Sequence, residues 1–181
     1  MNFPNSAFMK RANLFTLPLL LAFLLLPATS WAQGNNKSNR PSPPAVATGK
    51  IGETTVTIDY SSPAVKNRKV WGELVPYGKV WRAGANEATT IEFSRDVLVE
   101  GKHLPQGKYS LYTIPGENQW TVIFNKAIGQ WGTEYDERRD ALRVNVKPRK
   151  SPRMQERLAY VVAKNGILMR WENLELPVKI K

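Results

Sequence analysis

The sequence predicts an all-β protein: an antiparallel β-sandwich, jelly-roll-like, of about nine short strands. Three observations predict it. Apolar residues recur at period two rather than at the helical period. Gly, Pro and Asn turn signals separate the alternating runs. Helical periodicity is almost absent.

The first run, residues 53–60, places Val56, Ile58 and Tyr60 on one face and Thr55, Thr57 and Asp59 on the other. Residues 88–93 put Ile91 and Phe93 together, and residues 97–100 lead into a tight turn at Gly101-Lys102. Residues 108–114 and 119–125 flank Pro115-Gly116-Glu117-Asn118, which reads as a hairpin loop. Leu142, Val144 and Val146 alternate with Arg143, Asn145 and Lys147. Residues 157–163 are apolar on both faces, and Asn165-Gly166 turns them into 167–171 with a type I′ signal. Leu174, Leu176, Val178 and Ile180 form the last run, with Pro177 on the opposite face, which marks an edge strand. A turn or two of helix is expected within 135–142, capped by Asp136. The long interruptions at 61–87 and 126–140 belong at the sheet ends, where binding loops gather.

Composition narrows the chemistry. The chain has 181 residues, 42% hydrophobic, enough for one domain with its own core. It holds 26 Lys plus Arg against 15 Asp plus Glu, one His and no Cys. Without Cys there are no disulfides, thiol nucleophiles, cysteine–zinc sites or lipid-modified N-terminal cysteine. A single His excludes a two-histidine metal site.

Residues 1–32 read as a signal peptide. Lys10 and Arg11 precede 13 mostly apolar positions from Leu14 to Leu26, and Ser30-Trp31-Ala32 offers a cleavage site. The run is shorter than the ~20 residues a bilayer span needs. Cleavage after Ala32 and a periplasmic or secreted location are therefore expected, with no membrane span afterwards. Removing 32 residues leaves 149, and since the leader holds two cations and no acid the net charge falls from +11 to +9. Residues 33–49 (QGNNKSNRPSPPAVATG) read as a flexible spacer, and the domain is expected to span 50–181.

Residues 59–93 read DYSSPAVKNRKVWGELVPYGKVWRAGANEATTIEF, a stretch dense in Gly, large aromatics and cations. Gly84-Ala85-Asn86-Glu87 reads as a turn that delivers an amide and a carboxylate to the next strand. Together with LPQGKYSLYTIPGENQWTVIFNK, QWG and YDERRDALRVNVKP, this stretch closely resembles the bacterial domain-of-unknown-function family 2911. The resemblance runs from about Gly49 to Ile180. It implies a β-sandwich exported in Gram-negative bacteria, and it implies no activity, substrate or catalytic residue.

Four residues form the leading candidate site. Trp81 would stack on a sugar ring, Arg82 would take a carboxylate or phosphate bidentately, and Asn86 and Glu87 would fix hydroxyls. Tyr60, Arg68, Tyr112 and Trp131 are second choices. The competing reading is a turn network, with Asn86 left-handed and Arg82 paired to Glu87 or Asp59. Trp71, Trp81 and Trp131 lie in or beside long loops and suit either packing or stacking, whereas Trp120 and Trp171 fall in alternating strands and read as core.

The leading expectation is a non-catalytic module for a carbohydrate or small anionic envelope ligand. One alternative is a glycosidase-like hydrolase using Asp59 and Glu87 as paired carboxylates. No serine elbow, phosphate loop or zinc-protease motif is present, and no cofactor is implied. His103 reads as an exposed turn residue. The other alternative is polyanion contact through 147–157 (KPRKSPRMQER), read as a basic loop carrying Lys147, Arg149, Lys150, Arg153 and Arg157. Export argues against a nucleic-acid partner. Glu134, Asp136, Glu137 and Asp140 cluster, but their spacing fits no calcium loop and Arg138 and Arg139 interleave, so no metal is expected.

Overall fold

The computed structural model describes residues 37–181. The expected signal peptide and the first residues of the expected spacer lie outside the described residues. The strands in chain order are β1 (Pro44–Ile51), β2 (Thr54–Ser61), β3 (Thr90–Phe93), β4 (Val97–Val99) and β5 (Lys102–Leu104). They continue as β6 (Gly107–Ile114), β7 (Trp120–Asn125), β8 (Asp140–Val146), β9 (Arg149–Ala163) and β10 (Gly166–Lys179).

The protein is all-β, as its alternation predicts. β1, β2, β3, β6, β7 and β8 pair in that order into a six-stranded antiparallel sheet. Sequence neighbours are sheet neighbours apart from the β4–β5 excursion. The connectivity is thus a meander, not the interleaved order of a jelly roll. β9 and β10 form a separate long hairpin and β4 and β5 a short one. Val56 and Ile58 of β2, Phe93 of β3 and Trp120, Val122 and Phe124 of β7 share one cluster with Leu158 of β9 and Trp171 and Leu176 of β10. The core lies between the six-stranded sheet and the hairpins, a sandwich arrangement.

β1 corrects the expected spacer. Its inward positions are Ala45, Ala47, Gly49 and Ile51, so the alternation is present but made of small residues. Gly49 has no space for more, because a Cβ there would lie 2.9 Å from Val162 Cβ of β9. Small residues give almost no hydrophobic signal. Pro44, first in a strand at the sheet edge, loses no ladder bond it needs.

Other boundaries also move. The two expected final strands are one strand, β10, with register shifts on both sides of Glu172, whose φ is +53°. The β9–β10 turn falls at 164–165, and Gly166 is already paired with Ala163. Gly166 has φ +145°, and a Cβ there would strike the Val178 carbonyl. The expected basic loop is mostly strand, since β9 begins at Arg149 and only Lys147 and Pro148 connect it to β8. The β4–β5 turn is Glu100-Gly101, both with positive φ as type I′ requires, so His103 is in β5; it is exposed and 3.0 Å from Asp96 Oδ2. The expected helix is a single 3₁₀ turn, Glu137–Arg139, capped by Asp136. No helix among the described residues is long and apolar enough to cross a membrane.

Candidate functional site

The connection between β2 and β3 is long, but tertiary hydrogen bonds fix it. Ser62 Oγ donates to the Leu158 carbonyl at 2.7 Å and Val65 N to the Glu156 carbonyl at 2.8 Å, both on β9. Further on, Trp81 and Thr113 of β6 exchange backbone bonds at 2.7 and 2.8 Å. Trp71 and Trp81 are thereby carried against Trp120 and Trp171. The Trp81 and Trp171 rings stack at 5.7 Å and 15°. Trp71 meets Trp81, Trp120 and Trp171 edge-on at 5.7, 4.8 and 5.6 Å. Trp71 is therefore core, while Trp81 is half-buried at its margin. The indole N–H groups of Trp71, Trp120 and Trp171 are buried with no acceptor.

The backbone after Trp81 is strained and firmly held. Ala83 is fully buried with φ +50°, and Asn86 has φ +59°. A left-handed residue with a Cβ costs on the order of 1–3 kcal/mol and persists only where its surroundings impose it. Here the Ala83 carbonyl accepts from Tyr160 Oη at 2.8 Å and Thr89 Oγ1 at 3.1 Å. Asn86 Nδ2 donates to the Ser42 carbonyl at 3.0 Å and Ser61 Oγ at 3.1 Å.

Arg82 has neither of its expected partners. Its side chain crosses Gly132, where any Cβ would strike Arg82 Cδ. It makes no hydrogen bond or ion pair among the described residues, and its Nε is buried without an acceptor. Burial lowers its pKa, with the nearby Tyr112 phenol working the other way. Arg82 lines a cleft of about 230 Å³ together with Arg68, Trp81, Gly84, Ala85 and Trp171.

Glu87 belongs to a different cleft. Arg40 Nη1 contacts both its carboxylate oxygens at 2.9 Å, and Lys37 Nζ is 3.1 Å from one of them. Its own backbone N–H and the Arg40 guanidinium, with Lys37 behind them, hold its carboxyl down to about 2. Asp59 lines this same cleft of about 150 Å³ and pairs with Lys108 Nζ at 3.2 Å. The paired-carboxylate expectation thus meets two acids in one cleft, each already holding a cation.

The remaining candidates separate. The Asn86 side chain bonds Ser42 and Ser61, and the Glu87 carboxylate bonds Arg40 and Lys37, so both reach the segment before β1. Tyr60 packs edge-on against Tyr160 at 4.9 Å, its hydroxyl accepting from Tyr160 N at 3.4 Å. Arg68 donates to the Val65 and Ala64 carbonyls at 2.9 and 2.6 Å while lining the Arg82 cleft. Tyr112 is fully buried, donating to the Glu134 carbonyl and accepting from Gln130 Nε2, both at 3.0 Å. Trp131 is 47% exposed, and its backbone bridges to Glu87. In the acidic loop, Asp136 holds Arg138 and Asp140 holds Tyr135 and Arg143. Sequence reasoning missed Arg40 and Lys37, which sit in a polar segment with no local signal. It also placed Trp171 in the core without placing it at a cleft.

The family model described as "Protein of unknown function (DUF2911)" matches residues 42–180. No curated protein and no solved structure matches the chain.

Proposed function

This chain belongs to the DUF2911 family of proteins of unknown function, and from that premise we propose that it is an exported, non-catalytic binding module for a small anionic envelope ligand, with acidic sugars the favoured class. The observation that carries this reading is the unpartnered Arg82. Arg82 is half-buried, and a guanidinium whose Nε is buried without an acceptor is unfavourable on its own. A ligand carboxylate or phosphate would supply the missing partner through a planar fork suited to it.

Its neighbours favour the same reading. Trp81 offers a partly exposed aromatic surface, held in place by its stack on Trp171. The Trp171 N–H lacks an acceptor, and Trp171 lines the same cleft. Arg68 adds a second cation whose Nη1 has no bond among the described residues. The hydrolase alternative is weaker. A paired-carboxylate mechanism needs two carboxyl groups open to substrate, whereas Glu87 is held by Arg40 and Lys37 and Asp59 by Lys108.

The test is a thermal-shift and calorimetric titration of the protein with hexuronic acids, sugar phosphates and the corresponding neutral sugars, each at low and high salt. A saturable, acid-dependent stabilisation is expected for the wild type and its loss for Arg82→Met, which keeps an unbranched stem over Gly132. Equal affinity in Arg82→Met, or equal response to the neutral sugars, would overturn the reading.

A further inference from the structure

The β9–β10 hairpin keeps its register from Gly166 opposite Ala163 to Arg170 opposite Ala159, and then loses it. Between the pairs Glu172–Gln155 and Leu174–Lys150, β10 advances two residues while β9 advances five. Residues 151–154 therefore bulge out of the ladder. Bulges re-aim side chains and recur beside binding sites. This one borders a cleft of about 280 Å³ lined by Ser151, Pro152, Arg153, Gln155, Arg170 and Glu175.

Glu175 is the buried member, with its side chain 3% exposed. One oxygen accepts from Arg149 Nε at 2.8 Å and the other from Arg170 Nε at 2.6 Å. We propose that this cleft is a second anion site, separate from the Arg82 cleft, and that it takes a phosphate monoester.

The charge balance carries the argument. Arg149 and Arg170 both bond the Glu175 carboxylate and Arg153 lines the same cleft as Arg170 and Glu175, so three guanidinium groups stand against one carboxylate, an excess of two positive charges. A structural ion pair needs one cation for Glu175. Arg149 and Arg170 both bond it through Nε alone, so their terminal Nη groups have no partner among the described residues. The Arg153 guanidinium has no partner there at all, while its backbone carbonyl accepts from Ser151 Oγ at 2.7 Å, which fixes the bulge that presents it. The neighbouring acids do not fill the gap. Glu156 faces the Lys66 N–H at 3.0 Å and Glu172 the Val70 N–H at 3.5 Å. Glu175 orients two forks without neutralising the set. A tetrahedral group of about −1.5 to −2 charge matches both the excess and the free N–H pairs.

The test is an NMR titration of ¹⁵N-labelled protein, followed at the arginine Nε–Hε signals. The probes are phenyl phosphate, inorganic phosphate and vesicles with and without phosphatidic acid. Saturable one-to-one shifts at Arg153 and Arg170 are expected with phenyl phosphate. Phosphatidic-acid vesicles that compete for them would identify a lipid headgroup as one source of the monoester. Arg153→Gln, at an exposed position, is expected to weaken binding at least about tenfold with the melting temperature unchanged, while Arg82→Met leaves it intact. No saturable shift with phenyl phosphate, or equal affinity in Arg153→Gln, would overturn the proposal.

Discussion

Arg40 Nη1 lies 2.9 Å from both carboxylate oxygens of Glu87, so a residue upstream of the first strand closes an ion pair with the turn that leads into β3. The pair explains why the fold begins before residue 50. Asn86, next to Glu87, holds the Ser42 carbonyl, so the segment before β1 is attached at two adjacent points.

That attachment is pH-dependent with a definite sign. The Glu87 carboxyl lies at about 2 in the folded protein against an ordinary value of 4.5. A depressed folded pKa contributes stability that is complete above 4.5, shrinks as pH falls and is gone below about 2. Glu87→Gln is expected to lower stability by up to about 1 kcal/mol near neutral pH, the scale of a partly exposed pair. Urea midpoints of wild type and Glu87→Gln should converge between pH 4.5 and 2. A difference that stays constant across that window would show that the pair does not act through ionisation.

Arg82 carries the opposite expectation. An unpaired buried polar group costs about 1–3 kcal/mol when no partner replaces water, and the Arg82 Nε has none. Arg82→Met removes the charge and keeps the stem, so its melting temperature should equal or exceed that of the wild type. A marked loss of stability would mean that the guanidinium has a structural partner in solution.

What was legible in the sequence follows from the range of the interactions concerned. Trp120 and Trp171 stand in alternating strands, and alternation is a local property that reports burial directly. Trp71 stands in an irregular loop, and its burial depends on contact with Trp120 and Trp171, far away in the chain. β1 was invisible because Ala45, Ala47 and Gly49 face inward, and only Val162 of β9 explains why they must be small. The candidate residues divide between two clefts for the same reason. Arg82, Asn86 and Glu87 are adjacent in sequence, yet Glu87 takes its cation from a residue 47 positions earlier, which leaves Arg82 free.

The left-handed Ala83 is held at its carbonyl by two side-chain donors, of which Tyr160 is the one distant in sequence. Tyr160 donates to its carbonyl at 2.8 Å inside the core, where burial also drives the phenol pKa far upward. Tyr160→Phe leaves a buried carbonyl with Thr89 Oγ1 as its one remaining side-chain donor. A loss of about 1–3 kcal/mol is expected in equilibrium unfolding. Ala83→Gly in the same background should recover part of it, because glycine adopts positive φ without penalty. If the double variant is no more stable than Tyr160→Phe, the strain at Ala83 is not what the hydroxyl restrains.

Trp120 and Trp131 test the division between packing and surface most sharply. Trp120 is fully buried, edge-on to Trp71 at 4.8 Å. Trp120→Ala removes a ring that its neighbours cannot refill, and a loss of about 3–5 kcal/mol is expected. Trp131 is 47% exposed and contributes its backbone bridge to Glu87. That bridge survives side-chain truncation, so Trp131→Ala should change stability by no more than about 0.5 kcal/mol. Fluorescence separates the two on the same samples. In the protein without residues 1–32, iodide should quench the Trp131 component strongly, and the quenchable fraction should fall in Trp131→Ala to the smaller share of the half-buried Trp81, while Trp71, Trp120 and Trp171 stay protected. A quenchable fraction unchanged in Trp131→Ala would mean that Trp131 is not the most accessible indole of the folded protein.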